Sequence, residues 1–198
     1  MNARIFKEFT FFSGIHAEHK FNINSYEIGL DIDVNTEDIR EQNIAMERIK
    51  YLLSRVEDCV FVNEHDKNQI ESYTKAGLKV CTLPDDPYDQ IVAVVLIRKL
   101  NAITEGRLLI EDISIKSLIC DDIKFFVSIT ETNDYANNKG WFNQNNIAIS
   151  DISKHNKKEK IVSLRKELMD WNSLGLFWKD NIDTTSVLIE LPNTEFTK

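Results

Sequence analysis

The sequence predicts an α+β fold: an antiparallel sheet covered on one face by two main helices, followed by a helical and loop-rich C-terminal extension. Two long strand-like segments at the start, two apolar helical stretches in the middle, and a shift to Asn-rich composition after Thr130 carry that expectation. The 198-residue chain accordingly divides into a core, 1–130, and an extension, 131–198, packed on the core.

The first strand, roughly Lys7 to Gly14, carries Phe9, Phe11 and Phe12, so at least one of its faces is buried. From Phe21 to Val34 apolar residues alternate, first Phe21 and Ile23, then Tyr26, Ile28, Leu30, Ile32 and Val34. Asn24-Ser25 marks the change of phase and predicts a bulge or turn there. Gly29 predicts a bend or a close approach to the backbone. Asn35 or Thr36 is placed to cap the helix that follows, and Ile49, Leu52, Leu53 and Val56 form its sheet-facing stripe. The short apolar segment Cys59 to Val62, a small helix from about Lys67 to Ala76 ended by Gly77, and a strand from Lys79 to Leu83 come next. Asp86-Pro87 reads as the N-cap and first residue of a second main helix, which runs to about Ile103. Gly106 then opens two strands, Arg107 to Lys116 and Lys124 to Thr130, joined by a turn at Cys120-Asp121-Asp122. Residues 131–158 are loop-rich, with Trp141 and Phe142 pinning them to the body. A helix from about Lys158 to Trp171 and a strand from Ser186 to Leu191 complete the expectation.

Composition excludes some classes of function. A net charge of −8 lacks the basic footprint of a general nucleic-acid binder. The longest apolar run, Ile91 to Ile97, stops at Arg98-Lys99, far short of the about 20 residues a membrane span needs. Cys59, Cys81 and Cys120 are odd in number and widely spaced, the pattern of reduced cysteines in a cytoplasmic protein. Phosphate-loop, dinucleotide, nucleophile-elbow and Cys-x-x-Cys motifs are absent, and six glycines are too few for a backbone cradle around phosphate.

Few residues suggest chemistry. His16 and His19, three apart, can share a metal only if the chain turns between them; Glu18, His65 or Asp66 are the available further ligands. The same two histidines also read as surface or hydrogen-bonding residues at a strand end. His65 reads as part of a polar turn, Cys59 as a small core residue, and Asp85, Asp86 and Asp89 as a helix-capping cluster. Trp141, Trp171 and Trp178 read as packing residues of the extension.

Four stretches carry a resemblance to a known family: Phe12-Ser13-Gly14-Ile15-His16, then His19-Lys20-Phe21-Asn22, then Asp58-Cys59-Val60-Phe61-Val62-Asn63, and the proline-led helix at Asp86 with Ile113-Ser114-Ile115 after it. Over roughly residues 5 to 130, in the order ββααββ, the chain resembles the 6-pyruvoyltetrahydropterin synthase and 6-carboxytetrahydropterin synthase family, which has the tunnelling fold. The resemblance implies zinc ligands at His16 and His19, with Phe21 in the place of the third imidazole, and a proton-handling Asp58 followed by Cys59 in place of a histidine. Ser117 stands where the family has the glutamate that anchors the pterin, and the family's catalytic cysteine has no counterpart. It further implies a homo-oligomeric ring closed through strand edges, with ligand pockets between subunits. The expectation is a divergent tunnelling-fold protein without the intact zinc-dependent set, with no nucleic-acid or membrane partner. It would be a homo-oligomeric binding or accessory protein for a planar purine- or pterin-like molecule, zinc being the one cofactor to consider. The alternatives are a pterin- or deazapurine-pathway enzyme with a rearranged site, and a structural or assembly protein of a virus or mobile element.

Overall fold

The computed structural model describes residues 3–120, 123–135, 137, 139–149 and 170–179. Strands β1 (Ala3–Ala17) and β2 (Lys20–Val34) form one uninterrupted antiparallel hairpin. Its two-residue turn, Glu18-His19, has φ of 50° and 63°, the left-handed backbone that a tight hairpin with the natural strand twist requires. The ladder runs unbroken through Ser13–Asn24 and Phe12–Ser25, so the expected bulge at Asn24-Ser25 is absent. The change of phase is a change of face: Phe21 and Ile23 lie on one side of the hairpin, while Asn24, Tyr26, Ile28, Leu30 and Ile32 are buried on the other. The irregularity falls instead in the pairing of β2 with β5, where Glu111 is the extra residue beside Asp31/Ile32. Gly29 meets its expectation, because a Cβ there would come within 2.5 Å of the Phe6 ring and 2.6 Å of Ser114 Oγ.

Helix α1 (Ile39–Val56) is capped by Asp38, whose carboxylate accepts from the Arg40 N–H at 2.8 Å. This lies later than the expected Asn35 or Thr36, because the Thr36 hydroxyl is engaged with the Asp38 N–H and Glu41. Next come β3 (Val60–Asn63), α2 (Lys67–Lys75), β4 (Val80–Leu83) and α3 (Asp89–Thr104). Asp86 and Pro87 precede α3 without capping it: the helix begins after Tyr88, which makes no side-chain cap, and Asp86 accepts from Asn63 Nδ2 at 2.9 Å. Strands β5 (Leu108–Ser117) and β6 (Lys124–Ser128) follow, and the chain then enters a 3-10 turn at Ile129–Tyr135.

Six strands lie in the order β4-β3-β1-β2-β5-β6. The sheet is antiparallel from β1 through β6, while β3 and β4 join in parallel at the end of β1, which makes it mixed. Helices α1 and α3 cover one face; α3 is buried on nearly every side, as its continuous apolar sequence requires. On the other face α2 covers β3, β4 and the adjoining end of the β1–β2 hairpin, packing Ile70 and Tyr73 on Val60, Val62 and Val80 and Tyr73 beside His16 and Phe21. The rest of that face leaves Phe6, Phe12, Ile23 and Phe126 exposed.

The described part of the extension is tied to the helical layer. Lys99, fully buried on α3, donates from Nζ to the carbonyls of Asn146 (2.7 Å) and Ala148. Trp141 and Trp171 lie in the main core and donate to the carbonyls of Thr82 and Ile147, each at 2.8 Å. The expected helix at 158–171, apart from Asp170 and Trp171, and the expected strand at 186–191 lie outside the described residues, as do Asp121 and Asp122. Among the described residues no helix is long and apolar enough to cross a membrane.

Gly77 ends α2 with φ of 82°. Gly77→Ala is expected to destabilise the protein by about 1 kcal/mol, since alanine is strained in that backbone conformation. Equilibrium urea unfolding measures it; an unchanged midpoint would contradict it.

Candidate ligand-binding site

The residues singled out from the sequence go to three separate places. His16 sits on the α2 side of the sheet, 7% exposed, with Nδ1 2.9 Å from the Tyr73 hydroxyl and Nε2 3.7 Å from Asp66 Oδ2. His19 is exposed in the hairpin turn. Phe21 leans over Gly14 and beside the Tyr73 ring, so the third ligand position is filled by packing. Asp58 is exposed in a turn at φ 60°, its N–H donating to the Phe12 carbonyl. His16 pairs with Val62, so Asp58 is four residues back along the chain, about 13 Å at strand rise. His65 is an exposed turn residue whose N–H donates to Asn63 Oδ1. Among the described residues no group of three or more His, Cys, Asp or Glu side chains converges, so these residues do not bring together the three-ligand set of a catalytic zinc. Cys59 is fully buried, donates its thiol to the Arg55 carbonyl, and has its pKa pushed up to about 11, chiefly by burial.

The polar chemistry collects elsewhere. The ends of β1 and β2 run past the start of α3, and Leu118 to Cys120, which open the β5–β6 connection, fold back over them. A cavity of about 330 Å³ opens between these three elements. Ile15, Ala17, Pro87, Tyr88, Ile119 and Phe125 provide apolar walls, and Glu18 and Lys20 stand exposed at its rim. Asn24, Asp89 and Cys120 also line it.

Two main-chain bonds set the geometry of the floor. The Ile119 N–H donates to Asn24 Oδ1 at 3.3 Å, and the Leu118 N–H donates to the Ser25 carbonyl at 3.0 Å. The first of these fixes the carboxamide orientation and leaves Asn24 Nδ2 as a buried donor without a protein partner. Tyr26, fully buried on the same strand face, has an unpartnered hydroxyl, and Asp89 in the first turn of α3, 6% exposed, has an unpartnered Oδ2. Burial raises the Asp89 carboxyl above the usual aspartate range, opposed only by hydrogen bonding from the Ser117 hydroxyl. Burial likewise raises the Tyr26 phenol, opposed by the neighbouring Asn24 side chain, and the Cys120 thiol, the latter helped by the Asp89 charge. Each unpaired buried polar group costs about 1–3 kcal/mol. Three of them in one small region, two lining a cavity with apolar walls, form the arrangement of a recognition site.

The sequence reading placed Asp89 in a helix cap and Asn24 at a bulge, and so missed this site. One signal was available: Asn24 shares the parity of Tyr26, Ile28 and Leu30, so an unbroken strand puts its amide among core residues.

Cys120 is only partly buried, whereas Cys59 and Cys81 are fully buried with raised thiol pKa values. Native alkylation followed by peptide mass spectrometry is expected to label Cys120 first, and a ligand in the cavity is expected to slow that labelling. Equal labelling of all three thiols would contradict the arrangement.

No family model and no curated protein matches the sequence. Among solved structures the chain is similar to an uncharacterised protein from Wolinella succinogenes, with 10% identity, TM-score 0.46, and coverage of 65% of this chain and 99% of that one. It is also similar to 6-pyruvoyl tetrahydropterin synthase from Plasmodium vivax, with 10% identity, TM-score 0.44, and coverage of 64% of this chain and 97% of that one. Both are distant likenesses.

Proposed function

We propose that this protein is a homo-oligomeric binding or accessory protein that holds a planar, purine- or pterin-like molecule in the cavity between β2, α3 and the β5–β6 connection. The unpartnered Asn24 Nδ2, Tyr26 hydroxyl and Asp89 Oδ2 carry this reading. A heterocycle edge bearing both donors and acceptors satisfies such groups, while the walls at Ile15, Pro87 and Phe125 take its apolar faces. Self-association is supported by the sheet edge. β3 pairs only with Gly14–His16, so among the described residues Ala3 to Phe11 has no strand along its outer side. A long bare edge beside exposed Phe6 and Phe12 calls for a partner strand. Three free thiols suit a reducing cytoplasm.

The test combines native mass with small-molecule content, on protein purified without chelator or nickel. An oligomer that releases an ultraviolet-absorbing heterocycle on denaturation, or that binds one from a panel of purines and pterins, is the expected result. A monomer that neither retains nor binds any of them would overturn the proposal. Metal analysis of the same sample tests the enzyme alternative through its proposed ligands His16 and His19, with Asp58 as the proton-handling residue.

A further inference from the structure

We infer that the cavity selects a basic heterocycle of the amino-azine class, in which a protonated ring nitrogen beside an exocyclic amine faces the Asp89 carboxylate; this rests on the cavity being the ligand site. The inference comes from the charges around Asp89. On β2 it faces Asn24 and Tyr26, on β5 Ser117, and on the connection Cys120; the phenol and thiol are held neutral. Glu18 and Lys20 stand at the exposed rim, and neither is among the groups acting on the Asp89 carboxyl. Among the described residues Asp89 therefore has no cationic partner, although its residue is 94% buried and its Oδ2 is unbonded.

A buried carboxylate with no counter-charge is costly, and it either holds a proton or waits for a cation. A flat amidinium edge supplies what is missing. Its ring N–H and amino N–H donate to the carboxylate, its positive charge completes the pair, and an acceptor elsewhere on the ring can take the Asn24 Nδ2 donor. A neutral lactam ring of the same size fits the walls but leaves the charge unmatched. With Asp89 ionised in the free protein and the free base neutral, binding takes one proton from solvent, and this proton stays between the ring nitrogen and Asp89.

Isothermal titration calorimetry with 2,4-diaminopyrimidine and uracil tests this, at a pH where the free diamine is neutral and in two buffers of different ionisation enthalpy. The diamine is expected to bind at least tenfold tighter than uracil and to take up a proton. Asp89→Asn is expected to lose at least tenfold for the diamine, to abolish the buffer dependence, and to leave uracil unchanged. Equal affinities with no proton uptake by the wild-type protein would overturn the inference whether or not the variant folds. Uracil binding as tightly as the diamine, with protection of Cys120, would overturn it and leave a planar-ligand site standing. Binding of neither probe would overturn this inference alone if the purine and pterin panel binds, and both readings if it does not.

Discussion

Arg48→Ala is expected to destabilise the protein by about 3 kcal/mol or more and to release the segment around Leu176 to Trp178. Arg48 is 1% exposed, yet carries a guanidinium. Its Nε donates to the Leu176 carbonyl at 2.8 Å, and its Nη1 donates to the Ile103 carbonyl at 2.9 Å and to Glu105 at 2.6 Å. The Trp178 ring lies 3.9 Å from the guanidinium carbon and the Trp171 ring 4.6 Å, so the cation is stacked as well as bonded. Glu105 also accepts from the Trp178 indole at 2.8 Å while its own backbone is left-handed at φ 49°. Removing the arginine leaves that carboxylate without its buried partner and empties the space between two indoles; the loss of one partner of such a pair is worth about 3–5 kcal/mol. Urea unfolding measures the stability, and limited proteolysis should cut near residues 170–179 in the variant but not in the wild type. Wild-type stability and cleavage in Arg48→Ala would contradict this role.

The second large effect concerns Asp89 and has two opposed signs. Asp89→Asn is expected to stabilise the ligand-free protein at neutral pH by about 1 kcal/mol, since it removes an unpaired buried charge, and to weaken binding of a basic heterocycle at least tenfold. The pH dependence follows from the raised carboxyl. Below the ordinary aspartate range the group is protonated in both the folded and unfolded chains and costs nothing. As pH rises from that range through the raised folded value, the unfolded chain ionises more readily, so stability falls and then levels off. The variant should lack this decline. Thermal melts of both proteins from acid to neutral pH provide the comparison. A variant that is less stable than wild type at neutral pH, or that keeps the decline, would show that Asp89 is a structural group.

These two residues also show what the sequence could and could not convey. Apolar periodicity made the hairpin, both main helices and the β5–β6 pair legible, because each must bury one face and burial sets a period. Gly77 and Gly29 were legible for the same kind of reason, since a backbone angle or a close contact excludes a side chain there. Asp89 was not. Close to Asp86-Pro87 in sequence, an acid in a first helical turn is explained by capping alone, and only the fold shows that α3 starts two residues after Pro87 and turns that carboxylate into the cavity. Asn24 was misread because a phase change along one strand has two causes, an inserted residue or a switch of which face is apolar. The exposed Phe21 and Ile23 show that the second applies. The parallel addition of β3 and β4 was likewise hidden, because a four-residue apolar strand carries no sign of its direction. Arg48 on α1 meets Leu176 across 128 residues of chain, a distance at which no local pattern operates.

The most direct measurement is ligand content in parallel preparations of the wild-type protein and Asp89→Asn, each kept native to the last step, then denatured and extracted for ultraviolet and mass analysis. A planar heterocycle released from the wild type in amounts approaching one per chain, and missing from the better-folded variant, is the expected result. Equal amounts of the same molecule from both proteins would contradict the pairing of the ligand with Asp89, and a wild type that is empty and indifferent to added purines and pterins would contradict the assignment of this cavity as the binding site.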